Sequence, residues 1–124
     1  MANLPFDKTL NFMNPEFETV ADVGEIPEGE GRAYAVNGRM VAVFLLNGEY
    51  LAIQDACPHM GASLAAGSVE EGAVTCPWHA WRFRLTDGAW LDAPQSKMRA
   101  GKFLVRVEND EIQVSREPMT LSES

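Results

Sequence analysis

The sequence predicts an all-β fold, an antiparallel sandwich with a small subdomain inserted into it. Three observations lead there. Turn dipeptides recur between apolar segments of strand length: Asn37-Gly38, Asn47-Gly48, Asp87-Gly88 and Asn109-Asp110. Successive segments joined by turns this tight must run antiparallel. Finally, both cysteines and both histidines of the 124-residue chain fall between Cys57 and His79, on two proline-bearing loops around a glycine-rich insert.

Taken in order, residues 1–16 read as an N-terminal extension, with Asn14-Pro15 marking its boundary. Met1 to Met13 carries neither a basic start nor an apolar run, so no secretory signal is expected. A strand begins at Phe17-Glu18-Thr19-Val20 and leads into the turn-rich Ile26–Gly31. Glu16, Glu18, Asp22, Glu25, Glu28 and Glu30 form an acidic run with no base among them, read as a solvated face ahead of a docking surface. Tyr34–Val36, Met40–Leu46 and Tyr50–Ile53 make three strands around two Asn-Gly turns, whose central residues need positive φ. The unbroken apolar run Val41–Leu46 predicts a strand buried on both faces.

The third strand delivers the chain to Cys57. Residues 60–75 form the insert, with Gly61, Gly67 and Gly72 at turns and short strands around Val69 and Val74. Trp81-Arg82-Phe83-Arg84-Leu85 alternates large apolar with basic residues, the period of a strand with one buried face. Lys102–Val107 and Ile112–Val114 return to the larger sheet, and residues 117–124 are a polar tail. The main domain therefore spans 17–116, with the inserted subdomain at about 55–95.

The chemistry lies in the two loops. Cys57-Pro58-His59 is followed by sixteen residues and then by Cys76-Pro77-Trp78-His79. Each loop offers one thiolate and one imidazole, which suits a single metal site shared between two loops. Tetrahedral zinc is one candidate. The common zinc pattern, however, pairs cysteine with cysteine and histidine with histidine, whereas both pairs here are mixed. A Cys57–Cys76 disulfide would leave both histidines idle.

The motif resembles the Rieske iron–sulfur family. Cys57-Pro58-His59-Met60-Gly61 and Cys76-Pro77-Trp78-His79-Ala80-Trp81-Arg82-Phe83 are similar to the family's two cluster loops, departing at Ala80, where many members carry glycine. The resemblance implies a Rieske-type β-sandwich in which 55–95 is a cluster-binding subdomain. It also implies one [2Fe–2S] cluster per chain, Cys57 and Cys76 on one iron and His59 and His79 on the other. Pro58 and Pro77 would fix the loops, loop N–H groups would donate to the sulfurs, and Asp92-Ala93-Pro94-Gln95 resembles the segment that covers the cluster. High-potential members place cluster-bonding hydroxyls two and four residues after the second histidine. Trp81 and Phe83 stand there, so a potential near the low end of the family's range is expected.

A net charge of −8 argues against nucleic acid and anionic membranes as partners and is compatible with steering toward basic redox proteins. No run approaches the roughly 20 apolar residues of a membrane helix. The absence of cysteines beyond the two ligands fits a reducing, cytoplasmic setting. No histidine remains for a second, catalytic iron and no dinucleotide fingerprint is present, so an electron-transfer protein without catalytic residues is expected. Its partners would be a flavin reductase and a terminal oxygenase. The alternative is a small Rieske-like subunit bound to the large subunit of an NAD(P)H-dependent assimilatory nitrite reductase. A zinc-stabilised interaction module is a third reading.

Overall fold

The structure, a computed structural model, describes residues 16–58, 61–78, 80–93, 95–96 and 98–119. In chain order its strands are β1 (Phe17–Asp22), β2 (Gly31–Val36), β3 (Arg39–Leu46), β4 (Glu49–Gln54), β5 (Ser68–Glu70), β6 (Ala73–Thr75), β7 (Arg82–Arg84), β8 (Lys102–Phe103), β9 (Val105–Glu108) and β10 (Glu111–Ser115). A 3-10 turn, Leu64–Ala66, precedes β5. Antiparallel pairing builds three sheets, ordered β1-β10-β9, β2-β3-β4-β8 and β5-β6-β7. No described helix is long and apolar enough to cross a membrane.

The four-stranded sheet is the middle layer, and β3 explains why. Val41, Ala42, Val43 and Phe44 are all fully buried, as the continuous apolar run predicts. Successive side chains point to opposite faces. Val41 and Val43 therefore join Ala52, Phe103, Ile112 and Val114 in the core against the first sheet. Ala42 and Phe44 join Ile53, Leu64, Val74, Phe83, Cys57 and Cys76 in a second core under the small sheet. The strand thus ties the base sandwich to the inserted subdomain.

The turns behave as their residues require. Asn37 and Gly38 have φ of +50° and +83°, and Asn109 and Asp110 of +54° and +63°, so both hairpins turn with two left-handed residues. Two strand expectations change. Lys102–Val107 is not one strand, because the chain switches sheets at Leu104. β8 pairs with β4, β9 pairs with β10, and Ser115 Oγ accepts the Leu104 N–H at 3.0 Å. The 81–85 strand shortens to Arg82–Arg84, with Phe83 and Leu85 still buried on one face.

The acidic run is engaged locally. The Glu28 carboxylate caps the Asn47-Gly48 turn through both backbone N–H groups, Glu25 accepts the Asp22 N–H, and Glu16 and Glu18 pair with Arg116. These are turn caps and surface ion pairs, the solvated face expected. Extension residues 1–15, Met60, Pro94 and tail residues 120–124 lie outside the described residues.

Candidate metal centre

The first loop leaves β4 through Asp55. Ala56 and Ser63 form an antiparallel bridge. Within it, the Cys57 N–H donates to the Ala62 carbonyl at 2.8 Å and the Gly61 N–H to the Cys57 carbonyl at 2.7 Å. A closed hairpin mouth thus fixes where the Cys57 side chain starts. Asp55 braces this mouth from below. It is 7% exposed, and its Oδ1 accepts from Ser63 Oγ at 2.8 Å and from the Ala65 N–H at 3.0 Å. Its carbonyl accepts the Leu64 N–H at 2.7 Å, and its own N–H donates to the Met40 carbonyl at 3.0 Å.

The second loop caps the β6–β7 hairpin. Thr75 pairs with Arg82, and the Cys76 N–H donates to the Trp81 carbonyl at 2.6 Å. Gly67 sets the approach of this hairpin to the 3-10 turn, since a Cβ there would stand 2.1 Å from the Thr75 carbonyl oxygen. Its backbone is ordinary, so close packing rather than a left-handed turn requires glycine at this position.

Ala80 stands where many family members carry glycine. Alanine's small size suggests that it replaces glycine freely, yet its φ is +57°. The left-handed region costs a residue with a Cβ about 1–2 kcal/mol. Ala80→Gly is therefore expected to raise stability by up to about 1 kcal/mol, the extra backbone freedom of glycine offsetting part of the relief. Urea unfolding would measure it, and an unchanged or lower midpoint would show that the loop holds no strain at Ala80.

Cys57 and Cys76 are free thiols, 2% and 1% exposed, and share one core. Burial pushes the Cys76 thiol up; the Trp78 N–H opposes this, and the neighbouring Cys57 thiol adds to the rise. The Trp78 N–H donates to Cys76 Sγ at 3.4 Å, one of the sulfur-directed donors expected. Trp78 is 56% exposed. Trp81 instead stacks on Trp90, with centroids 3.8 Å apart and planes 12° apart.

A third segment is drawn onto the site. Asp92 Oδ2 accepts the Arg82 N–H at 2.9 Å, and Oδ1 accepts Arg82 Nε and Nη2 at 3.0 and 2.8 Å. Desolvation opposes ionisation of Asp92, but the Arg82 amide and guanidinium outweigh it and hold the carboxyl below the usual range. The Leu91 N–H completes the clamp on the Arg82 carbonyl at 2.9 Å. The Lys102 ammonium, buried in the base, donates to the Leu85 carbonyl at 3.1 Å and joins the two subdomains. The only sequence signal of the Asp55 brace and the Lys102 tether is an acid or a lysine beside an apolar segment.

The structure brings Cys57 and Cys76 together. His59 and His79 lie outside the described residues, and among the described residues no three His, Cys, Asp or Glu side chains converge on one point. The donor set still fits an iron–sulfur group. Two unlinked cysteines sit side by side on two closed hairpin mouths, one already accepting a backbone N–H.

Comparison with known proteins agrees. A family model described as the Rieske [2Fe–2S] domain matches residues 16–114. A ferredoxin component of naphthalene 1,2-dioxygenase/salicylate 5-hydroxylase systems from Ralstonia sp is 30% identical over 105 residues, covering 85% of this chain and 100% of that protein. Apoptosis-inducing factor 3 of Mus musculus is 32% identical over 96 residues, 77% of this chain and only 16% of that protein. This chain likewise spans about a sixth of the length of other curated relatives that it matches. Among solved structures, the ferredoxin of carbazole 1,9a-dioxygenase from Nocardioides aromaticivorans IC177 superposes with a TM-score of 0.73 at 28% identity, covering 82% of this chain and 98% of that one. A Mycobacterium tuberculosis protein assigned as an NADH-dependent nitrite reductase small subunit gives 0.77 at 27%, covering 83% and 96%.

Proposed function

The chain belongs to the Rieske [2Fe–2S] domain family, and from that premise we propose that it is a non-catalytic one-electron carrier whose ligands are Cys57, His59, Cys76 and His79. The observation that carries this is the pair of buried, unlinked thiols on two hairpin mouths. A bound cluster supplies reversible one-electron chemistry, with neutral imidazoles placing it at roughly −150 to +300 mV instead of about −400 mV.

The chain's own residues hold and tune that site. Cys57 and Cys76 exclude water by their burial, and the Trp78 N–H supports negative charge on Cys76 Sγ. Phe83, fully buried, and Trp81, stacked on Trp90, are side chains without a hydroxyl to offer a sulfur. This supports a potential near the low end of the range. The carrier domain is 17–116, with 55–95 holding the cluster between the extension 1–16 and the tail 117–124.

We place it between a flavin reductase and a terminal oxygenase, in the cytoplasm. The likeness to oxygenase ferredoxin components supports this. Resemblance to the nitrite reductase small subunit supports the second reading, a fixed subunit of such a complex. Absorption and electron paramagnetic resonance spectra of the purified protein, oxidised and then reduced with dithionite, test the shared core. A red-brown protein with a low-average-g signal when reduced is the expected result; a colourless zinc protein would overturn it. Co-purification with either a reductase–oxygenase pair or a large reductase subunit separates the two readings.

A further inference from the structure

A groove of about 460 Å³ runs along the base sheet to the start of the first loop. Met40, Ala56, Phe103 and Pro118 give it apolar walls, and Met40 is 47% exposed. The amide side chain in its lining is already engaged. Gln54 Nε2 donates to the Ala56 carbonyl at 2.6 Å, and Oε1 accepts the Gly101 N–H at 2.8 Å. The described chain begins close by. The Glu16 carbonyl accepts the Arg116 N–H at 2.9 Å, and the Glu16 carboxylate pairs with the Arg116 guanidinium at 3.1 Å. Arg116 leads through Glu117, paired at 3.6 Å with Arg39 in the groove lining, to Pro118 in its wall.

We infer that residues 1–15 dock in this groove as an intramolecular strap, with Leu10 and Phe12 filling it. β1 pairs with β10 with Phe17 opposite Ser115, and the Glu16–Arg116 bond extends that ladder. The same register carried on sets Asn14 opposite Pro118 and brings Phe12 to the groove. Leu10 and Phe12, two residues apart, share one side of an extended segment. Attachment at Glu16 gives the strap a high effective concentration at the groove. Asp7 and Lys8 are its only charged side chains, so it is neutral in side-chain charge, whereas a second copy of the chain would bring −8 against −8. The docked strap braces Gln54–Ala56, the segment that leads into Cys57.

Four variants of the chain test this: deletion of residues 1–13, Phe12→Ala, Met40→Ala, and the two substitutions combined. Truncating a side chain on an open surface changes stability little, so Met40 reports whether the groove is covered. The deletion is expected to keep the far-ultraviolet circular dichroism, lower the melting temperature by about 4 °C and speed amide hydrogen exchange in 39–41, 54–56 and 116–119. Phe12→Ala and Met40→Ala are each expected to lower the melting temperature, and the combined variant to lower it by less than the two effects added. Additive effects would overturn the inference, because the two side chains would then not share a contact. So would unchanged exchange in those three segments after the deletion. Sedimentation of the parent as a dimer, with exchange in those segments rising on dilution alone, would give the groove to a second copy and overturn it too. None of these readouts uses iron–sulfur absorption, so failure of the proposed function is distinguished from failure of the strap.

Discussion

Cys76→Ser is expected to give a folded, colourless protein that has lost essentially all of its iron. A serine hydroxyl is a poor substitute for thiolate toward iron, and Cys76 is one of two thiols that meet in one core. Its position leaves no slack: the Cys76 N–H is tied to the Trp81 carbonyl, the Trp78 N–H points at Sγ, and the preceding Thr75 is locked in the β6–β7 ladder. Nearby backbone cannot shift to bring another ligand forward. The base sandwich rests on a separate core of Val41, Val43, Phe103, Ile112 and Val114, so its far-ultraviolet circular dichroism should persist. Iron analysis and visible absorption check the loss. Full colour in the variant would remove Cys76 from the ligand set, and colour lost together with all β signal would assign the residue a folding role instead. Cys57→Ser should behave alike, and His59→Ala and His79→Ala nearly so.

Much of this architecture is legible without coordinates, and the reasons are local. Asn37-Gly38 and Asn109-Asp110 announce their hairpins because their φ preferences are intrinsic to the residues. Val41–Phe44 announces a doubly buried strand because only a middle layer can cover both faces. The two-loop site is legible because all four candidate ligands are confined to it. What is hidden depends on partners distant in sequence. The sheet switch at Leu104 is decided by β4 on one side and β10 on the other. The requirement for glycine at position 67 comes from the Thr75 carbonyl, and the strain at Ala80 from the shape of a loop rather than the size of a side chain. Asp55 is invisible as a brace until Ser63 and Ala65 fold back over it.

Phe83→Ala is expected to cost about 3–5 kcal/mol, as does removal of a fully buried ring from a close-packed core. The ring is fully buried, Phe83 pairs with Val74 across the ladder, and it forms the bridge to Trp90 that closes the third segment over β7. Its core neighbours include Leu64, Leu85, Cys57 and Cys76. The small sheet has only short strands, so it cannot collapse into the void without moving the cysteines. Loss of visible absorbance should therefore come at lower urea than loss of circular dichroism, whereas the parent loses both together. A single shared transition displaced by less than about 1 kcal/mol would show that the subdomain does not depend on this ring. Phe83→Tyr then isolates the electronic question, because the ring and its packing remain and a hydroxyl is added. If the low-potential reading is right and that hydroxyl reaches a sulfur, the midpoint rises; an unmoved midpoint in a fully loaded Tyr variant would place the control of potential elsewhere in the two loops.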